Sequence, residues 1–316
     1  MSQPVVTVEQ FYTDHASELE LNLIAGAEGL KKQIREPTVN RPGLAIAGFT
    51  RYFASKRIQA LGSAETTYLK SLKPPERLSR YTQLFSHRMM PCVVFSRNLN
   101  PDRAFRAAAE EAKVPIFKTP FITMKFINLA TLALELMFAP RGTEIGSMVD
   151  ILGVGVIIRG ESGIGKSECV LALIERGYSL VADDITKVTL IDNHYVMGTS
   201  VEITRDHMEV RGIGIINVAA MFGVRSIRTR KEVNLVVSLK HWGETQDIDR
   251  LGIDDEHVEI LGVKVPHITI PVRPGRDLAR LIEVAAFQTK LKSSGYNPAK
   301  ELNERLISKM ASGQGR

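Results

Sequence analysis

Short apolar runs alternate with stretches of helical periodicity along the first 138 residues. The runs that are bounded by turn residues predict buried strands, and they occupy residues 43–49, 90–96 and 115–119. Residues 102–114 repeat apolar positions at helical spacing, and Asp102 is of a type that commonly begins a helix. This alternation predicts a small α/β domain over residues 1–138, with partly parallel strand pairing.

The segment 139–147 interrupts this pattern with a proline, two glycines and several polar residues, and therefore predicts a linker. The apolar, β-branched run at 148–160 then predicts one or two strands. A predicted helix at 167–177 and a predicted short strand at 180–182 follow. We therefore predict an α/β chain whose second domain, residues 148–316, ends in helices.

Residues 121–140 form a long apolar stretch that resembles a membrane span. Lys125 and Glu135 interrupt it, and the uninterrupted apolar part is shorter than a span requires. The stretch therefore predicts a buried helix, and we expect no membrane association.

Composition and charge limit the expected location and partners of the protein. Lys and Arg number 41 against 35 Asp and Glu, a net charge of +6, but the basic residues are scattered, so no nucleic-acid partner is expected. Cys92 and Cys169 have neither the number nor the spacing of a disulfide framework or a zinc site. No basic segment leads into an apolar run at the start of the chain, so no signal peptide is expected. These features predict a reducing, cytoplasmic location.

A glycine-rich pattern, G-x-x-x-x-G-K-[ST], lies between a predicted strand and a predicted helix. The predicted phosphate loop comprises Gly160, Glu161, Ser162, Gly163, Ile164, Gly165, Lys166 and Ser167. Its glycines let backbone N–H groups converge on phosphate oxygens. Lys166 would contact the terminal phosphates of a nucleotide, and Ser167 would bind a bridging Mg²⁺ ion. A glycine turn without a ligand is the weaker alternative, because strand, loop and helix are all in register.

Two adjacent acids, Asp183 and Asp184, follow the strand predicted at 180–182. Gly177 ends the preceding helix, so this strand returns its carboxyl end to the side of the phosphate loop. One carboxylate could orient metal-bound water while the other accepts a proton from an attacking hydroxyl. A solvated Asp-Asp turn is the alternative, which the neighbouring phosphate loop disfavours.

Three further segments offer charged candidates. Glu209 could be a second Mg²⁺ ligand, although a Glu-Arg pair at the head of a strand is more often a surface ion pair. Arg250 could stabilise charge on a transferring phosphoryl group, and a solvated arginine is its alternative. Arg273 and Arg276 directly precede a predicted helix, where they are suited to binding an anion.

Five segments, in this order, resemble the HPr kinase/phosphorylase family: GESGIGKSE, ERGYSLVADD, EVRGIGIINV, DRLG and PVRPGRDLARLIEVAA. The N-terminal part is similar in length to that family's N-terminal domain but carries no motif of its own. The resemblance implies an enzyme that phosphorylates a seryl residue of HPr, a small phosphocarrier protein of the sugar phosphotransferase system, with ATP and Mg²⁺. It also implies the reverse reaction, in which inorganic phosphate removes the seryl phosphate and pyrophosphate is released.

The resemblance also implies roles for individual residues. Asp184 would be the proton acceptor for the seryl hydroxyl and the proton donor in reverse, with Asp183 completing the pair. The other implied roles are phosphate contact by Lys166, Mg²⁺ binding by Ser167 and Glu209, catalysis by Arg250, and dephosphorylation by the loop 271–276, which holds Arg276. A homohexamer is implied as well, which the predicted C-terminal helices would support.

Two positions depart from the family pattern. Ile145 stands where the family usually has a histidine that is counted among its catalytic residues, and isoleucine cannot transfer a proton. Tyr178 replaces another family histidine, just before the acidic pair. Phosphoryl transfer is expected to survive these changes, whereas the balance between the two directions or the protein target could differ.

Two other functions remain open on the sequence. A P-loop kinase could use the same nucleotide chemistry on a small molecule, and a nucleotide-sensing module could have lost transfer activity together with the missing histidine. The retention of Lys166, Ser167, Asp184, Glu209 and Arg250 argues against the sensing module.

Overall fold

The structure is a computed structural model that describes residues 5–244 and 256–313. The chain divides into two compact units, Met1–Ala139 and Pro140–Arg316. Within the described residues, no helix combines the length and the apolar character that crossing a membrane requires.

The first unit is an α/β fold. Its elements are β1 (Val6–Thr7), α1 (Val8–His15), β2 (Asn22–Ala25), β3 (Gln33–Ile34), β4 (Val39–Asn40), α2 (Gly43–Ile46), β5 (Ile58–Leu61), α3 (Ser63–Ser71), α4 (Pro74–Phe85), β6 (Val93–Phe95), α5 (Arg103–Glu111), β7 (Ile116–Lys118) and α6 (Thr123–Phe138). The main sheet has the order β2-β7-β6-β5-β4. Strands β4 to β7 run parallel and β2 is antiparallel to β7, which confirms the partly parallel sheet predicted from the sequence.

Helices cover both faces of this sheet because its strands are apolar on both sides. Phe117 of β7 packs in one core with Phe126 of α6, on one face. Phe95 of β6 packs in a second core with Phe105 of α5, with ring centroids 5.3 Å apart in an edge-to-face arrangement. Lys125 and Glu135 are exposed on α6, so the apolar stretch at 121–140 buries one face of a helix rather than its whole circumference.

The prediction of a strand at 43–49 is wrong. Residues Gly43–Ile46 form the short helix α2, in which Ala45 and Ile46 are buried and Leu44 is exposed. A short apolar run fits a helical turn as well as it fits a buried strand, and periodicity cannot separate the two.

The second unit is built on a mixed sheet. Its elements are β8 (Arg141–Ile145), β9 (Ser147–Ile151), β10 (Val154–Gly160), α7 (Lys166–Glu175), β11 (Ser179–Ala182), β12 (Ile185–Ile191), β13 (Tyr195–Thr199), β14 (His207–Val210), β15 (Gly214–Asn217), α8 (Val218–Phe222), β16 (Arg230–His241), β17 (His257–Ile260), β18 (Val263–Val272), α9 (Leu278–Ser293) and α10 (Pro298–Gly313). The sheet order is β11-β9-β10-β16-β13-β12-β8, with β18 pairing to both β16 and β17, and β14 and β15 form a separate hairpin.

The directions of the strands determine which strand ends lie at the same edge of this sheet. Strands β10, β16 and β18 are mutually parallel, whereas β9 is antiparallel to both of its neighbours, β10 and β11. The carboxyl ends of β10, β11, β16 and β18 therefore lie at one edge of the sheet, together with the first residue of β9. Helices α7 and α9 pack on one face of the sheet and bury Val170, Leu173 and Ile282 against it.

The prediction of a linker at 139–147 is also wrong. Residues 141–145 form β8, which pairs in antiparallel register with β12 along its whole length. A proline and two glycines do not exclude an edge strand, because glycine and proline are tolerated where one side of the strand is unpaired.

Candidate functional site

The predicted phosphate loop joins β10 to α7 at the carboxyl edge of the sheet. Gly163 and Gly165 have φ values of +86° and +100°, a region that side chains with a Cβ adopt at a cost of about 1–2 kcal/mol. Ile164 between them is buried in the core that α7 shares with the sheet. A buried side chain flanked by two left-handed glycines holds the loop in a compact shape, with Glu161 and Ser162 exposed at its tip.

The amino terminus of α7 faces this loop. Gly165 is the N-cap, and within the described chain no side chain caps the helix there. Ser167 lies in the first turn of this helix and is partly buried. At the other end of the loop, a Cβ at Gly160 would lie only 2.8 Å from Ile164 Cγ2, so a larger residue would not fit there without a shift. The first N–H groups of an α-helix have no partner in the helix, and the helix dipole places partial positive charge on them. The loop and helix end therefore suit an anion.

The acidic pair lies at the same edge, after β11. The Asp184 carboxylate accepts a charged hydrogen bond from Lys166, with 2.7 Å between Nζ and Oδ1. Lys166 is mostly buried, with 14% of its side chain exposed, whereas 52% of the Asp184 side chain remains exposed. Asp184 thus combines an anchored position beside the phosphate loop with a surface that an incoming group could reach.

Asp183 is turned the other way, into the protein. The Ser147 hydroxyl donates to its Oδ1 at 2.8 Å, and the backbone N–H of Glu209 donates to its Oδ2 at 3.1 Å. Burial raises the pKa of Asp183 above its ordinary value, against the opposing effect of these two hydrogen bonds. The two adjacent acids therefore differ: Asp183 is hydrogen-bonded within the protein, whereas Asp184 is accessible from outside.

Glu209 is brought to the acidic pair by its backbone. It lies on β14 with its side chain exposed, and its N–H bond to Asp183 fixes that strand against the end of β11. In residues 5–244 and 256–313, no three His, Cys, Asp or Glu side chains form a cluster that could hold a metal ion.

Arg211 also contacts the loop, although its sequence pattern predicts no role for it. Arg211 lies in the turn between β14 and β15, and its Nη2 donates to Ser162 Oγ at 3.2 Å. The glycines on either side of that turn, Gly212 and Gly214, both have positive φ values. An arginine next to two glycines was the available signal, but only the folded hairpin brings it to the loop.

The arginines before α9 also lie at this edge, since β18 ends beside β16 and β16 beside β10. The Arg273 guanidinium stacks on the Trp242 ring, and Arg276 donates from Nη1 to the Pro271 carbonyl at 3.2 Å. These side chains line an open cavity of about 340 Å³. Arg250 lies outside the described residues.

The two departures from the family pattern have different surroundings. Ile145 is 77% exposed and pairs in register with Ile185, next to Asp184. Tyr178 is buried and its hydroxyl donates to Glu283 of α9, which also accepts from Arg176. Burial raises the pKa of Tyr178 to about 12, so this side chain is a neutral structural donor that ties the segment between α7 and β11 to α9.

Known proteins match this chain over nearly its whole length. The HPr Serine kinase N terminus family matches residues 6–134, and the HPr Serine kinase C-terminal domain family matches residues 137–306. The HPr kinase/phosphorylase of Leptospira biflexa serovar Patoc is 41% identical over 308 residues, which cover 97% of this chain and 95% of that protein.

The HPr kinase/phosphorylase of Geobacter sulfurreducens is 41% identical over 310 residues, which cover 98% of this chain and 97% of that protein. A solved structure, the Hpr(Ser) kinase/phosphatase from Coxiella burnetii, is 36% identical and covers 52% of this chain and 99% of that one, with a TM-score of 0.47. With both family domains and both relatives aligned along nearly its full length, the chain belongs to the HPr serine kinase family.

Proposed function

We propose that this protein transfers the γ-phosphoryl group of ATP to a seryl residue of HPr and removes it again by phosphorolysis. In the forward direction the seryl oxygen attacks the γ-phosphorus, Asp184 takes the hydroxyl proton, and ADP leaves. In the reverse direction an oxygen of inorganic phosphate attacks the phosphoryl group, the seryl oxygen leaves with a proton from Asp184, and pyrophosphate forms. One carboxylate can serve both directions, because in each of them the seryl oxygen exchanges one proton while the phosphoryl group is transferred.

The distance of 2.7 Å between Lys166 Nζ and Asp184 Oδ1 is the observation that carries the proposal. This ion pair places Lys166, the cation proposed to bind phosphate, next to the accessible carboxylate of Asp184. A base close to a terminal phosphate accepts a proton from whatever hydroxyl approaches that phosphate. Asp183 is less suited to this role, because it is less exposed than Asp184 and its two oxygens already accept from Ser147 and the Glu209 N–H.

The residues of the loop fit ATP and Mg²⁺. Gly163 and Gly165 open the backbone toward an anion, Lys166 would bind the terminal phosphates, and Arg211 would add a second cation beside Ser162. Ser167 and Glu209 would hold Mg²⁺, which would neutralise negative charge on the phosphate groups. Arg276, and Arg250, would bind the inorganic phosphate or the transferring group.

The proposal is tested by incubating the protein with Mg-ATP and purified HPr and locating new phosphate by mass spectrometry. Phosphate on a serine of HPr supports the proposal. Nucleotide binding without transfer would identify a sensing module. With a metabolite extract added, phosphate on a metabolite but not on HPr would identify a small-molecule kinase. Either result overturns the proposal.

The reverse reaction has its own readout. Seryl-phosphorylated HPr is incubated with the protein and orthophosphate, and pyrophosphate is quantified. Pyrophosphate formed in proportion to dephosphorylated HPr supports phosphorolysis. Release of orthophosphate alone would instead indicate hydrolysis.

We also propose that the protein acts as a homohexamer in the cytoplasm, where ATP is available. Helix α10 supports self-association because it exposes a row of apolar side chains, namely Leu302, Leu306, Ile307 and Met310. Light scattering that gives a mass of six chains would support this assembly, and a monomer at working concentration would contradict it.

A further inference from the structure

Ser147 lies at the carboxyl edge that holds the site. It is the first residue of β9, the strand between β10 and β11, and it pairs in register with Ile158 near the end of β10. Its neighbour Met148 pairs with Ala182, the last residue of β11. Ser147 is therefore placed between the strand that leads into the phosphate loop and the strand that leads into the acidic pair.

The Ser147 hydroxyl contacts both acids. It donates its hydrogen to Asp183 Oδ1 at 2.8 Å, because a carboxylate can only accept. Its oxygen is then free to accept the backbone N–H of Asp184, at 3.2 Å. The side chain is fully buried, so neither bond is exchanged for a bond to bulk water.

The backbone of Asp184 needs such support. Its φ of +55° lies in the left-handed region, which is unfavourable for a residue with a Cβ and persists where neighbouring groups hold it. Ser147 accepts its N–H, and the N–H of Gly146 donates to its carbonyl at 2.8 Å. Two consecutive residues at the junction of β8 and β9 therefore hold both backbone polar groups of Asp184.

We infer that Ser147 is a positioning residue for phosphoryl transfer: its buried hydroxyl locks the Asp183-Asp184 peptide so that the Asp184 carboxylate points at Lys166. Ser147 touches no substrate and acts through the two acids. The kinetic part of the inference rests on the proposed function, whereas the structural part does not.

The kinetic test compares Ser147→Ala with the conservative variant Ser147→Thr, which keeps the hydroxyl. Misplacement of a catalytic group by about 1 Å lowers the rate of transfer about 100-fold, so Ser147→Ala should lower kcat by about that factor. The KM for ATP should change by less than about twofold, since the phosphate loop is intact. Ser147→Thr should restore most of kcat.

A matched control separates positioning from general loss of a buried hydroxyl. Ser179 on β11 is also buried and donates to the Arg225 carbonyl at 2.8 Å, but it contacts neither acid. Ser179→Ala should destabilise the fold to a similar degree and leave kcat nearly unchanged. Equal losses of kcat in Ser147→Ala and Ser179→Ala, or an unchanged kcat in Ser147→Ala, would overturn the inference.

A crystal structure of Ser147→Ala gives a readout that does not need turnover. Asp184 should leave the left-handed region or separate from Lys166 beyond hydrogen-bond distance. An Asp184 that stays in place would overturn the inference even if the wild-type protein transfers no phosphate to HPr. Absence of transfer by the wild type would refute the proposed function alone.

Discussion

The two units of the chain end their parallel strands in opposite ways. In the first unit, Gly62 after β5 donates its N–H to the Glu65 side chain at 2.9 Å, and Glu65 pairs with Arg41 at 2.8 Å. Ser96 after β6 bonds to Thr123 at the start of α6, at 2.7 Å. The polar groups at this edge satisfy one another, and Glu65 itself caps α3.

In the second unit the corresponding edge is open. Helix α7 begins at a left-handed glycine, Gly165, with no capping side chain among the described residues, and the loop before it is exposed. The comparison teaches that parallel strands and helix starts are not enough for an anion site. An edge becomes a site when no side chain of the protein satisfies the polar groups at the start of the helix and backbone N–H groups are left for a ligand.

Removing the accessible acid should have the largest effect on activity. Asp184→Asn keeps the shape of the side chain but cannot accept the seryl proton, so kcat should fall about 100- to 10,000-fold in both directions. Nucleotide affinity, measured by titration calorimetry, should persist. Asp192→Asn, at another exposed, left-handed aspartate of the same unit, serves as control. Undiminished turnover of Asp184→Asn would refute its role.

Removing a side chain that satisfies the edge of the first unit should lower stability without changing nucleotide binding. Glu65→Ala removes the cap of α3 and leaves Arg41 without its carboxylate, so the free energy of unfolding of the first unit should fall by about 1–3 kcal/mol. Urea unfolding measures this loss. A drop in nucleotide affinity in the same variant would show that the closed edge belongs to the site after all.

Replacing a left-handed glycine of the phosphate loop should weaken nucleotide binding. Gly165→Ala forces a Cβ into a left-handed conformation, or shifts the loop away from it, so the Kd for nucleotide should rise about tenfold. Gly153→Ala is the matched control, because Gly153 has a φ of +92° in the turn between β9 and β10, with open space around a new Cβ. An equal rise of Kd in both variants would mean that the loop geometry has no specific role.

The arginine before α9 should distinguish the two directions. Arg276→Ala removes one charged donor for inorganic phosphate, so pyrophosphate formation should fall about tenfold while transfer from ATP falls less. Arg280→Ala, one turn further along and also exposed, is the control. Equal losses in both directions would argue against a separate role in dephosphorylation.

The smallest expected effect concerns the inward-facing acid. Burial raises the pKa of folded Asp183, so between its ordinary pKa of about 4 and the raised value the folded state binds more protons than the unfolded state. Stability should therefore fall as pH rises through this window. Asp183→Asn should flatten the profile measured by urea unfolding; an unchanged slope would contradict the burial of the charge.

Local patterns carried most of what the sequence predicted about the site. The phosphate loop is a short segment whose glycine spacing, preceding strand and following helix can be read in order. The place of Asp184 beside Lys166 followed from one crossover, β10 through α7 to β11. These inferences needed no distant contact, and the structure places the loop and the acidic pair at one edge of the sheet.

What the sequence did not show depends on contacts between distant segments. The sequence predicts that Ser147 lies in a linker, and its contacts with both acids depend on the insertion of β9 between β10 and β11. Arg211 reaches Ser162 across 49 residues of chain. The errors at 43–49 and 139–147 have a different cause, because short segments with apolar or turn-forming residues fit more than one conformation.

A crystal structure of the protein with Mg²⁺ and a non-hydrolysable ATP analogue tests the central claim most directly. The account predicts that the Asp184 carboxylate lies within about 6 Å of the terminal phosphorus, the sum of one near-attack distance and one hydrogen bond. Lys166 should contact the same phosphate. A terminal phosphate bound far from Asp184, with Lys166 still paired to that acid, would contradict the account.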